Sequence, residues 1–409
     1  MRILVFGSCN LDYVYSVPKI VVPGETVAAT EVNLYPGGKG LNQAIALKRA
    51  GVDVSFAGCI GNDGAFLYDF LEENGICLEY VRRAECNTGQ AFIQVSDSGE
   101  NSIVIYRGAN YKVTCEYVDE VLSHFSAGDV VVLQNEVSSL EYIVDSAYAR
   151  GMKIALNPSP FDENVKKIPL EKISYLLVNE HEAGGYVCFD GEEGFIDSLR
   201  QRYPELTVAL TLGSRGCVCF CGDDVIEHPS FEVDAVDSTA AGDTFTGYFI
   251  SRICNDGSLE SASRYACAAA AIAVSREGAA PSIPCLDEVN RRLPTMTLRE
   301  SNRRDRLRNS VDKYFSQNIN NPTLVGLASS LGYSPSYTAR WLKSSLNTTF
   351  GALRIEYRLR LAESLLLTTD LTVTEIIERV GYKNETFFRR EFKEKYGKAP
   401  LKYRKEKSK

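Results

Sequence analysis

Short runs of β-branched and apolar residues alternate with helical patterns along the first 290 residues, and this alternation narrows the available folds more than any other feature. Six runs are apolar almost throughout and lie at 2–6, 54–57, 130–133, 153–156, 174–178 and 206–212. Helical patterns lie between several of them, at 41–50, 64–74, 138–150 and 192–203. Apolar strands separated by helices are typical of a parallel sheet covered on both faces. We therefore predict a doubly wound α/β fold with a mostly parallel sheet.

Three segments break this rhythm, since polar and apolar residues alternate in them with a period of two. They lie at 13–17, 26–34 and 90–106, and the last contains the turn signal Asp97-Ser98-Gly99-Glu100-Asn101. Alternation of this kind is typical of half-buried strands. We predict that these segments form a small β lid that projects from the main sheet.

Charge divides the chain into two parts. Residues 301–409 contain 22 Lys and Arg against 11 Asp and Glu, a local net charge of +11. The 23 basic and 42 acidic residues that remain give residues 1–300 a net charge of −19. A basic unit can face nucleic acid, anionic lipid or only water. The junction is polar and contains Pro294, so we predict a linker over 294–304 between domains at 1–293 and 305–409.

The cysteines and the apolar runs indicate the compartment. All 12 cysteines lie in 1–300, the first residues resemble a strand rather than a signal peptide, and no apolar run reaches the ~18 residues of a membrane span. We expect a cytoplasmic protein with reduced thiols and no membrane partner. Cys217, Cys219 and Cys221 alternate and share one strand face. They could form a metal site, but without a nearby His we interpret them as buried core thiols.

The residues that indicate chemistry are concentrated in Asp237-Ser238-Thr239-Ala240-Ala241-Gly242-Asp243-Thr244-Phe245. A turn of small residues leads into an apolar helix, so N–H groups at the helix N-terminus can bind phosphate oxygens. Asp243 is poorly suited to binding phosphate itself. It can accept a proton from an attacking hydroxyl, as phosphoryl transfer requires. From spacing alone, a simple helix cap is an equal alternative for Asp243.

This segment resembles the C-terminal signature of the ribokinase family of carbohydrate kinases. Further ribokinase-like stretches follow the order of that family and lie at 7–12, 23–27, 37–44, 157–160, 179–183, 211–216 and 268–282. Together they span nearly all of 1–293. Gly37-Gly38-Lys39-Gly40 alone would be a weak signal, and Leu41 rules out a Walker-type phosphate loop. The resemblance implies a ribokinase-like fold that uses ATP to phosphorylate a pentose hydroxyl.

The resemblance also implies roles for individual residues in sugar binding and phosphate transfer. Asp243 would be the base, beside an anion hole formed by Ala240, Ala241 and Gly242. Asp243 would also contact the sugar, together with Asn10, Asp12, Gly38, Lys39, Asn42 and Glu136. A sugar needs several fixed polar partners in a small pocket, which agrees with this set. A structural ion pair between Asp12 and Lys39 is the alternative.

Nucleotide and metal contacts are implied in the same way. The nucleotide would contact Asn179, Thr211, Gly213, Ser214, Gly216 and Gly242. Glu182 would hold Mg²⁺ through water, which Mg²⁺ commonly retains; helix capping by Asn179 and Glu182 is the alternative. An activating K⁺ would be bound, mostly through main-chain carbonyls, at Asp237, Thr239, Ala273, Arg276, Gly278 and Ser282.

Two departures from the family pattern concern the ligands. Cys267 stands where ribokinases often place a His beside the adenine, which puts the adenine contact in doubt. Arg107 precedes Gly108-Ala109-Asn110, where a small or neutral residue is expected. Arg107 could alter the choice of sugar, although a solvated arginine on the lid is the simpler interpretation.

The basic C-terminal part carries helix–turn–helix punctuation twice. A helical pattern at 324–331 is followed by Gly332-Tyr333, and Ser334-Pro335 then begins a helix at 335–345. A capping box at 372–375 begins the second unit, which turns at Gly381-Tyr382 and continues in a helix capped by Asn384. One long helix at 354–368 joins the two units. This arrangement resembles the DNA-binding domain of the AraC family over 305–404.

The AraC-like resemblance implies that the second helix of each unit enters the major groove of double-stranded DNA, about 34 Å from the other. The DNA contacts would be Ser336, Tyr337, Arg340, Lys343, Thr386, Arg389, Arg390 and Lys393. Arg340 or Arg389 could reach guanine edges, although phosphate contacts are the commoner role. We expect Trp341 in the core rather than stacked on a base. A duplicated helical bundle that binds protein is the alternative.

Three functions follow for the whole chain. It could be an active kinase that also regulates transcription, a sugar sensor with a retired kinase fold, or an enzyme whose tail only localises it. Intact Gly242 and Asp243 favour the first, because a sensor has no need of a base. The sequence leaves the sugar open between ribose, deoxyribose, another pentose and a nucleoside, with ribose favoured. The resemblance also implies a homodimer that pairs through the lid.

Overall fold

A computed structural model describes residues 1–187, 192–299, 311–318, 322–331, 335–346, 348–369, 371–382 and 384–407. These residues fall into two compact units. The larger consists of Met1–Phe189 and Phe195–Glu300, and the smaller consists mainly of Ser301–Lys409. Within the ranges given above, no helix is both long and apolar enough to cross a membrane.

The larger unit is built on a nine-stranded sheet in the order β13-β12-β11-β10-β9-β8-β1-β4-β5. All neighbours from β5 to β11 pair in parallel, while β12 and β13 are antiparallel. The strands are β1 (Ile3–Phe6), β4 (Val54–Gly61), β5 (Cys77–Ala84), β8 (Val130–Gln134), β9 (Lys153–Asn157), β10 (Tyr175–Asn179), β11 (Thr207–Thr211), β12 (Cys217–Cys221) and β13 (Asp224–His228). The predicted doubly wound, mostly parallel α/β fold is confirmed.

Two apolar clusters, one on each face, explain why the central strands are apolar on both sides. Along β1, Ile3 and Val5 belong to one cluster, and Leu4 and Phe6 belong to the other. The helices of this unit are α1 (Lys39–Arg49), α2 (Ala65–Glu73), α3 (Cys115–Leu122), α4 (Leu140–Ala149), α5 (Glu180–Tyr186), α6 (Glu192–Arg202), α7 (Ala241–Asp256), α8 (Leu259–Val274) and α9 (Leu286–Arg292). As predicted, Cys217 and Cys219 are buried strand thiols, and Cys221 is half-buried.

A second, four-stranded sheet forms the predicted lid. Its order is β3-β2-β6-β7, with β2 (Asn10–Val17), β3 (Glu31–Gly37), β6 (Gly89–Ser96) and β7 (Asn101–Tyr106). Strand β2 pairs with β3 and β6 from its first residue, Asn10, so the lid begins beside the main sheet. Several of its apolar side chains remain exposed, among them Val32, Leu34, Ile103, Val104 and Ile105.

The chain after α9 stays attached to the larger unit. Glu232 N donates to Thr297 O at 2.9 Å, and Arg299 N donates to Ser230 O at 2.8 Å. These bonds place 297–299 against 230–232. The predicted linker at 294–304 therefore overlaps a segment that belongs to the larger unit, and 300–304 lie outside the described residues.

The smaller unit is helical and has two apolar cores. The first contains Phe315, Leu327, Trp341 and Leu353, and the second contains Ile376, Phe388 and Phe392 with Leu359. Its helices are α10 (311–318), α11 (Leu324–Leu331), α12 (Pro335–Ser345), α13 (Phe350–Thr368), α14 (Val373–Arg379), α15 (Glu385–Tyr396) and α16 (Pro400–Lys407). Helix α13 contributes Leu353 to one core and Leu359 to the other, so it joins the two helix–turn–helix units.

Capping residues mark where the helices of the second helix–turn–helix unit begin. Thr372 and Glu375 form the predicted capping box, in which each residue's backbone N–H donates to the other's side chain. Asn384 caps α15 by accepting from Phe387 N at 2.9 Å. Trp341 is buried, as expected. The predicted turn at Gly332-Tyr333 and the predicted cap Ser334 lie outside the described residues.

Candidate active site

The small-residue turn before α7 produces an open helix N-terminus. Ala240 adopts a left-handed conformation with φ 59°, which turns the chain into the helix. Helix geometry leaves the first N–H groups without intrahelical acceptors. Ala241 N donates back to Ser238 O at 3.2 Å. A Cβ added to Gly242 would meet no atom within 4 Å, so its backbone borders open space.

Asp243 lies in the same first turn with its side chain buried, and α1 holds its carboxylate. Asn42 Nδ2 donates to Asp243 Oδ2 at 3.0 Å, and Gln43 Nε2 donates to Asp243 Oδ1 at 2.9 Å. Asn42 Oδ1 is itself buried and has no hydrogen-bond partner in the described part of the chain. The predicted pair Asn42 and Asp243 is therefore in contact, and a free acceptor lies beside it.

A group of charged residues lies around this pair. Lys39 N donates to Glu136 Oε2 at 3.0 Å, and Ser8 Oγ donates to the same oxygen. Burial raises the pKa of Glu136, although Lys39 counteracts the shift. The Asp243 carboxylate raises the pKa of Lys39 despite burial, and Glu136 adds to that effect. The ammonium group of Lys39 therefore stays charged next to the proposed reacting groups.

Asp12 lies on β2 close to this group. Burial, with repulsion from Glu136 and Asp243, raises the pKa of Asp12 to about 7. Its Oδ1 is buried and lacks a hydrogen-bond partner among the residues that the structure describes. No ion pair joins Asp12 to Lys39 in the same described set, which removes support from the purely structural alternative. A buried acceptor without a donor suits a ligand that brings hydroxyl groups.

A cavity of about 190 Å³ opens on the lid side of these residues. Its wall includes the predicted sugar contacts Asn10 and Glu136, together with Arg107, Asn110 and Asn135. Asn110 Nδ2 donates to Asn10 Oδ1 at 2.8 Å, which fixes the Asn10 amide. Arg107 donates to Tyr111 Oη and lies over its ring, 4.4 Å from the centroid. Arg107 is thus exposed but held at the cavity wall.

Gly38 brings the backbone of α1 close to β2. It precedes α1 with φ 92°, and a Cβ at this position would lie 2.9 Å from Ser8 O and 3.0 Å from Asn10 N. Only glycine combines this conformation with so close an approach. Gly38 therefore sets the position of Lys39 and Asn42 relative to Asn10 and Asp12.

A smaller cavity of about 80 Å³ borders Asp243 on the other side. It is lined by the predicted residues Lys39, Asn179, Glu182, Thr211 and Gly242. Asn179 and Glu182 also form a capping box at the start of α5, with bonds of 2.9 and 3.0 Å. They cap the helix, as the structural alternative expected, and they face the cleft as well.

All of the predicted nucleotide residues except Asn179, which lines the smaller cavity, line a mostly apolar pocket of about 350 Å³ beside the start of α7. Thr211 ends β11, and Gly213, Ser214 and Gly216 form the loop that follows. Gly216 has φ 98°, and a Cβ there would lie 2.1 Å from His228 O. Cys267 lines this pocket, with its Sγ 3.6 Å from Cys217 Sγ. The thiol of Cys267 therefore borders the space where the resemblance places the adenine of the nucleotide.

Hydrogen bonds join most of the predicted K⁺ residues. Asp237 Oδ1 accepts from Thr239 N at 2.8 Å, and Asp237 Oδ2 accepts from Gly278 N at 3.0 Å. Asp237 N donates to Val274 O, the residue after Ala273, and Arg276 N donates to Ala273 O at 3.1 Å. The side chain of Arg276 pairs with Glu288, and that of Ser282 donates to Ala279 O at 2.8 Å.

The predicted DNA-binding side chains lie mostly on exposed positions of α12 and α15. Ser336, Arg340, Lys343, Thr386, Arg390 and Lys393 are exposed. Arg389 is half-buried and forms a 2.6 Å ion pair with Glu385, one helical turn earlier. The side chain of Tyr337 lies outside the described residues. The exposed set leaves cationic side chains available to a phosphate backbone.

Several polar residues at the site had no predicted role, among them Ser8, Gln43, Asn110 and Gln134. Gln43 follows Asn42 directly and is fully buried, and Gln134 ends β8 and is also fully buried. A polar residue at the carboxyl end of a parallel strand was the one signal that could have identified Gln134, because ligands of such sheets bind at that edge.

Comparison with known proteins supports this description. Residues 1–286 match the pfkB family carbohydrate kinase model, and residues 327–406 match a helix-turn-helix domain of the AraC type. A ribokinase of Haemophilus influenzae is 36% identical over 293 residues, covering 69% of this chain and 95% of that protein.

Solved structures agree in fold. A ribokinase of Thermotoga maritima gives a TM-score of 0.65 at 33% identity, covering 72% of this chain and 99% of that one. A ribokinase of Arabidopsis thaliana, complexed with ribose and ATP, gives 0.62 at 29% identity, covering 71% and 98%. The chain belongs to the pfkB family of carbohydrate kinases and carries an additional AraC-type helix-turn-helix domain.

Proposed function

We propose that this kinase transfers the terminal phosphate of ATP to a pentose hydroxyl, converting D-ribose to D-ribose 5-phosphate. The observation that carries the proposal is the surroundings of Asp243. Its buried carboxylate lies near two buried acceptors, Asp12 Oδ1 and Asn42 Oδ1, that have no donor among the described residues, and next to the open backbone at Gly242. A polyol supplies the missing O–H donors, and an anion fits the helix N-terminus.

In this proposal, Asp243 accepts the proton of the attacking hydroxyl. Asn10, Asp12, Gly38, Lys39, Asn42 and Glu136 form the sugar site. Gly242, with Ala240 and Ala241, faces the transferring phosphate; Gly242 borders the open space, whereas Ala241 N already bonds Ser238 O. Lys39 contributes a positive charge that the neighbouring carboxylates maintain. Charge stabilisation and positioning account for most catalysis of phosphoryl transfer.

The residues present fit ATP, Mg²⁺ and K⁺ in different ways. The apolar pocket at Thr211, Gly213, Ser214 and Gly216 fits a nucleotide base, with Asn179 towards the phosphates. Among the described residues, no cluster of three His, Cys, Asp or Glu side chains could hold a metal ion. Mg²⁺ would therefore be held by phosphate and water, with Glu182 acting through water. Asp237, Thr239 and Gly278 would organise the carbonyls for K⁺, with Ala273, Arg276 and Ser282.

We further propose that the part of the chain from residue 305 binds double-stranded DNA in a sequence-specific manner and regulates transcription, while 1–293 forms the kinase. The net charge of +11 over 301–409 and the exposed cations of α12 and α15 support this proposal. Arg340, Lys343, Arg390 and Lys393 would contact phosphates or bases, with Ser336, Tyr337, Thr386 and Arg389. The exposed apolar side chains of the lid support a homodimer.

An ADP-release assay over a panel of pentoses and nucleosides, with Mg²⁺ and K⁺, tests the kinase proposal. We expect ribose to give the highest kcat/KM, and Asp243→Asn to lose activity by at least about 10³-fold while remaining folded. Turnover of no sugar by the wild type would refute it. DNA binding is tested with the full chain: affinity for duplex DNA should fall steeply as salt rises. Binding that is absent or insensitive to salt would refute that proposal.

A further inference from the structure

Two neighbouring amides of α1 hold the carboxylate of Asp243, and only one of them has a predicted role. Asn42 Nδ2 bonds Oδ2 and belongs to the predicted sugar site, whereas Gln43 Nε2 bonds Oδ1 and is fully buried. Consecutive helical residues point in directions about 100° apart. The carboxylate is therefore held from two sides, once at each oxygen.

The direction of the Gln43 amide is set by its other partners. Asn157 Nδ2 donates to Leu177 O at 3.0 Å, and a main-chain carbonyl can only accept, so Asn157 presents Oδ1 towards Gln43 Nε2 at 3.3 Å. Gln134 Nε2 donates to Gln43 Oε1 at 2.7 Å. Both hydrogens of the Gln43 amide are therefore used, one for Asn157 and one for Asp243. If the Gln43 amide were flipped, its oxygen would face two acceptors, Asn157 Oδ1 and Asp243 Oδ1. Its N–H groups would then face the donor Gln134 Nε2.

The hydrogen bonds that link Gln134 to Gln43, and Gln43 to Asp243 and Asn157, form an amide relay. Gln43 and Gln134 are fully buried, so bulk water does not compete for either amide. Gln134 Oε1 is also buried and lacks a partner in the described part of the chain. An unsatisfied buried acceptor lowers stability. Apolar side chains at 43 and 134 would avoid that loss, so the relay is not what packing alone would select.

We propose that Gln43 is a positioning residue for phosphoryl transfer, which fixes the plane of the Asp243 carboxylate. This inference rests on the proposed kinase function. Gln43 is not among the described residues that line the sugar cavity or the nucleotide pocket; it acts through Asp243. The two donated bonds stabilise the ionised carboxylate, because a charged acceptor gains more from a donor than a neutral one does. A carboxylate fixed in plane also keeps its reacting oxygen aimed at the bound hydroxyl.

The test uses the full chain with ATP, Mg²⁺, K⁺ and ribose, or the sugar that the wild type turns over fastest. Gln43→Met keeps the length of the side chain and removes its donor. We expect kcat to fall about 10- to 100-fold, the range for losing a hydrogen bond to a charged group, with KM for the sugar within about threefold. A fall confined to kcat, with KM and Tm close to those of the wild type, is the signature of a positioning role.

Two further variants keep the test decisive if Gln43→Met folds poorly. Gln134→Met leaves the bond from Gln43 to Asp243 but frees the Gln43 amide to rotate, so kcat should fall only about 2- to 5-fold, with KM for the sugar unchanged. Gln43→Glu is nearly isosteric and replaces the donor by a repelling oxygen, so it should be the least active at pH 8. Exposed Gln201→Met on α6 is the matched control and should match the wild type.

The outcomes separate the two proposals. A wild type that phosphorylates sugar, with folded Gln43 variants whose kcat is unchanged, overturns the positioning role and leaves the kinase function standing. A fall in kcat that follows the loss of thermal stability across the variants, with a rise in KM for the sugar, also overturns it, because a purely structural role predicts that result. A wild type that turns over no sugar refutes the kinase proposal, and the positioning role falls with it.

Discussion

Replacing Gly242 by alanine separates a ligand-binding role of the helix N-terminus from a structural one. The added Cβ would meet no atom within 4 Å, and Gly242 does not have a positive φ. Alanine should therefore fit without strain. Because alanine is the better helix former, we expect Gly242→Ala to stabilise the kinase unit by up to about 1 kcal/mol. That gain corresponds to a rise in Tm of roughly 2 °C.

Activity should change in the opposite direction. If a phosphate approaches the Gly242 backbone, the methyl group would occupy part of its space and hold it away from the N–H donors. Losing one such donor contact in comparable sites lowers kcat by about 10²- to 10³-fold. We expect a loss in that range, measured by ADP release at saturating sugar, with the variant at least as stable as the wild type.

Gly247→Ala is the matched control, because it makes the same change one and a half turns further along α7. Its Cβ would lie 2.4 Å from Ala46 Cβ and 2.8 Å from Leu47 N, on the packed face of the helix. Overpacking of this kind destabilises by about 1–3 kcal/mol. We expect lower Tm but near-normal kcat at 25 °C for molecules that remain folded. A Gly242→Ala variant with wild-type activity would refute the assignment of this backbone to phosphate.

Other measurements address the remaining parts of the molecule. Because burial beside Glu136 and Asp243 raises the pKa of Asp12 to about 7, its carboxylate ionises only near that pH. We expect kcat/KM for the sugar to rise with pH through about 7, and Asp12→Asn to abolish that rise. Arg107→Ala should raise KM for the sugar about 10-fold with little change in kcat; an unchanged KM would mark a solvated arginine. Lys393→Ala should reduce the salt slope of DNA binding by about 1 without altering sequence preference.

Features that depend on residues close together in the chain were predictable from the sequence. The apolar runs predicted the central strands to within a few residues, because a strand buried on both faces must be apolar throughout. The capping box at Thr372 and the cap at Asn384 were predicted because a cap is a bond between residues three apart. The predicted start of α13 at 354 is four residues later than the observed start at Phe350, because Thr349 caps the helix without the Glu or Gln that would complete a capping box.

Features assembled by topology were not predictable from the same patterns. Gln43, Gln134 and Asn157 come from three elements. Gln134 lies 91 positions after Gln43, and Asn157 lies 114 positions after it. No local period relates them, and they meet only because β8 and β9 are neighbours in the sheet and α1 packs beside the start of α7. The attachment of 297–299 to 230–232 is of the same kind, which explains why a polar segment with one proline was taken for a linker.

The arrangement around Asp243 bears on whether the kinase fold could be retained only to sense sugar. A sensor requires acceptors such as Asp12 Oδ1 and Asn42 Oδ1, but it has no use for a buried carboxylate held at both oxygens, nor for open space at Gly242. Burying Asp243 and two glutamines lowers stability relative to apolar packing, even with their hydrogen bonds made. Apolar residues at 43, 134 and 243 together would remove these buried polar groups and leave Asn10 and Asp12 in place for a sugar. The chain instead keeps the donors, the carboxylate and the open helix N-terminus together, and that combination serves phosphoryl transfer.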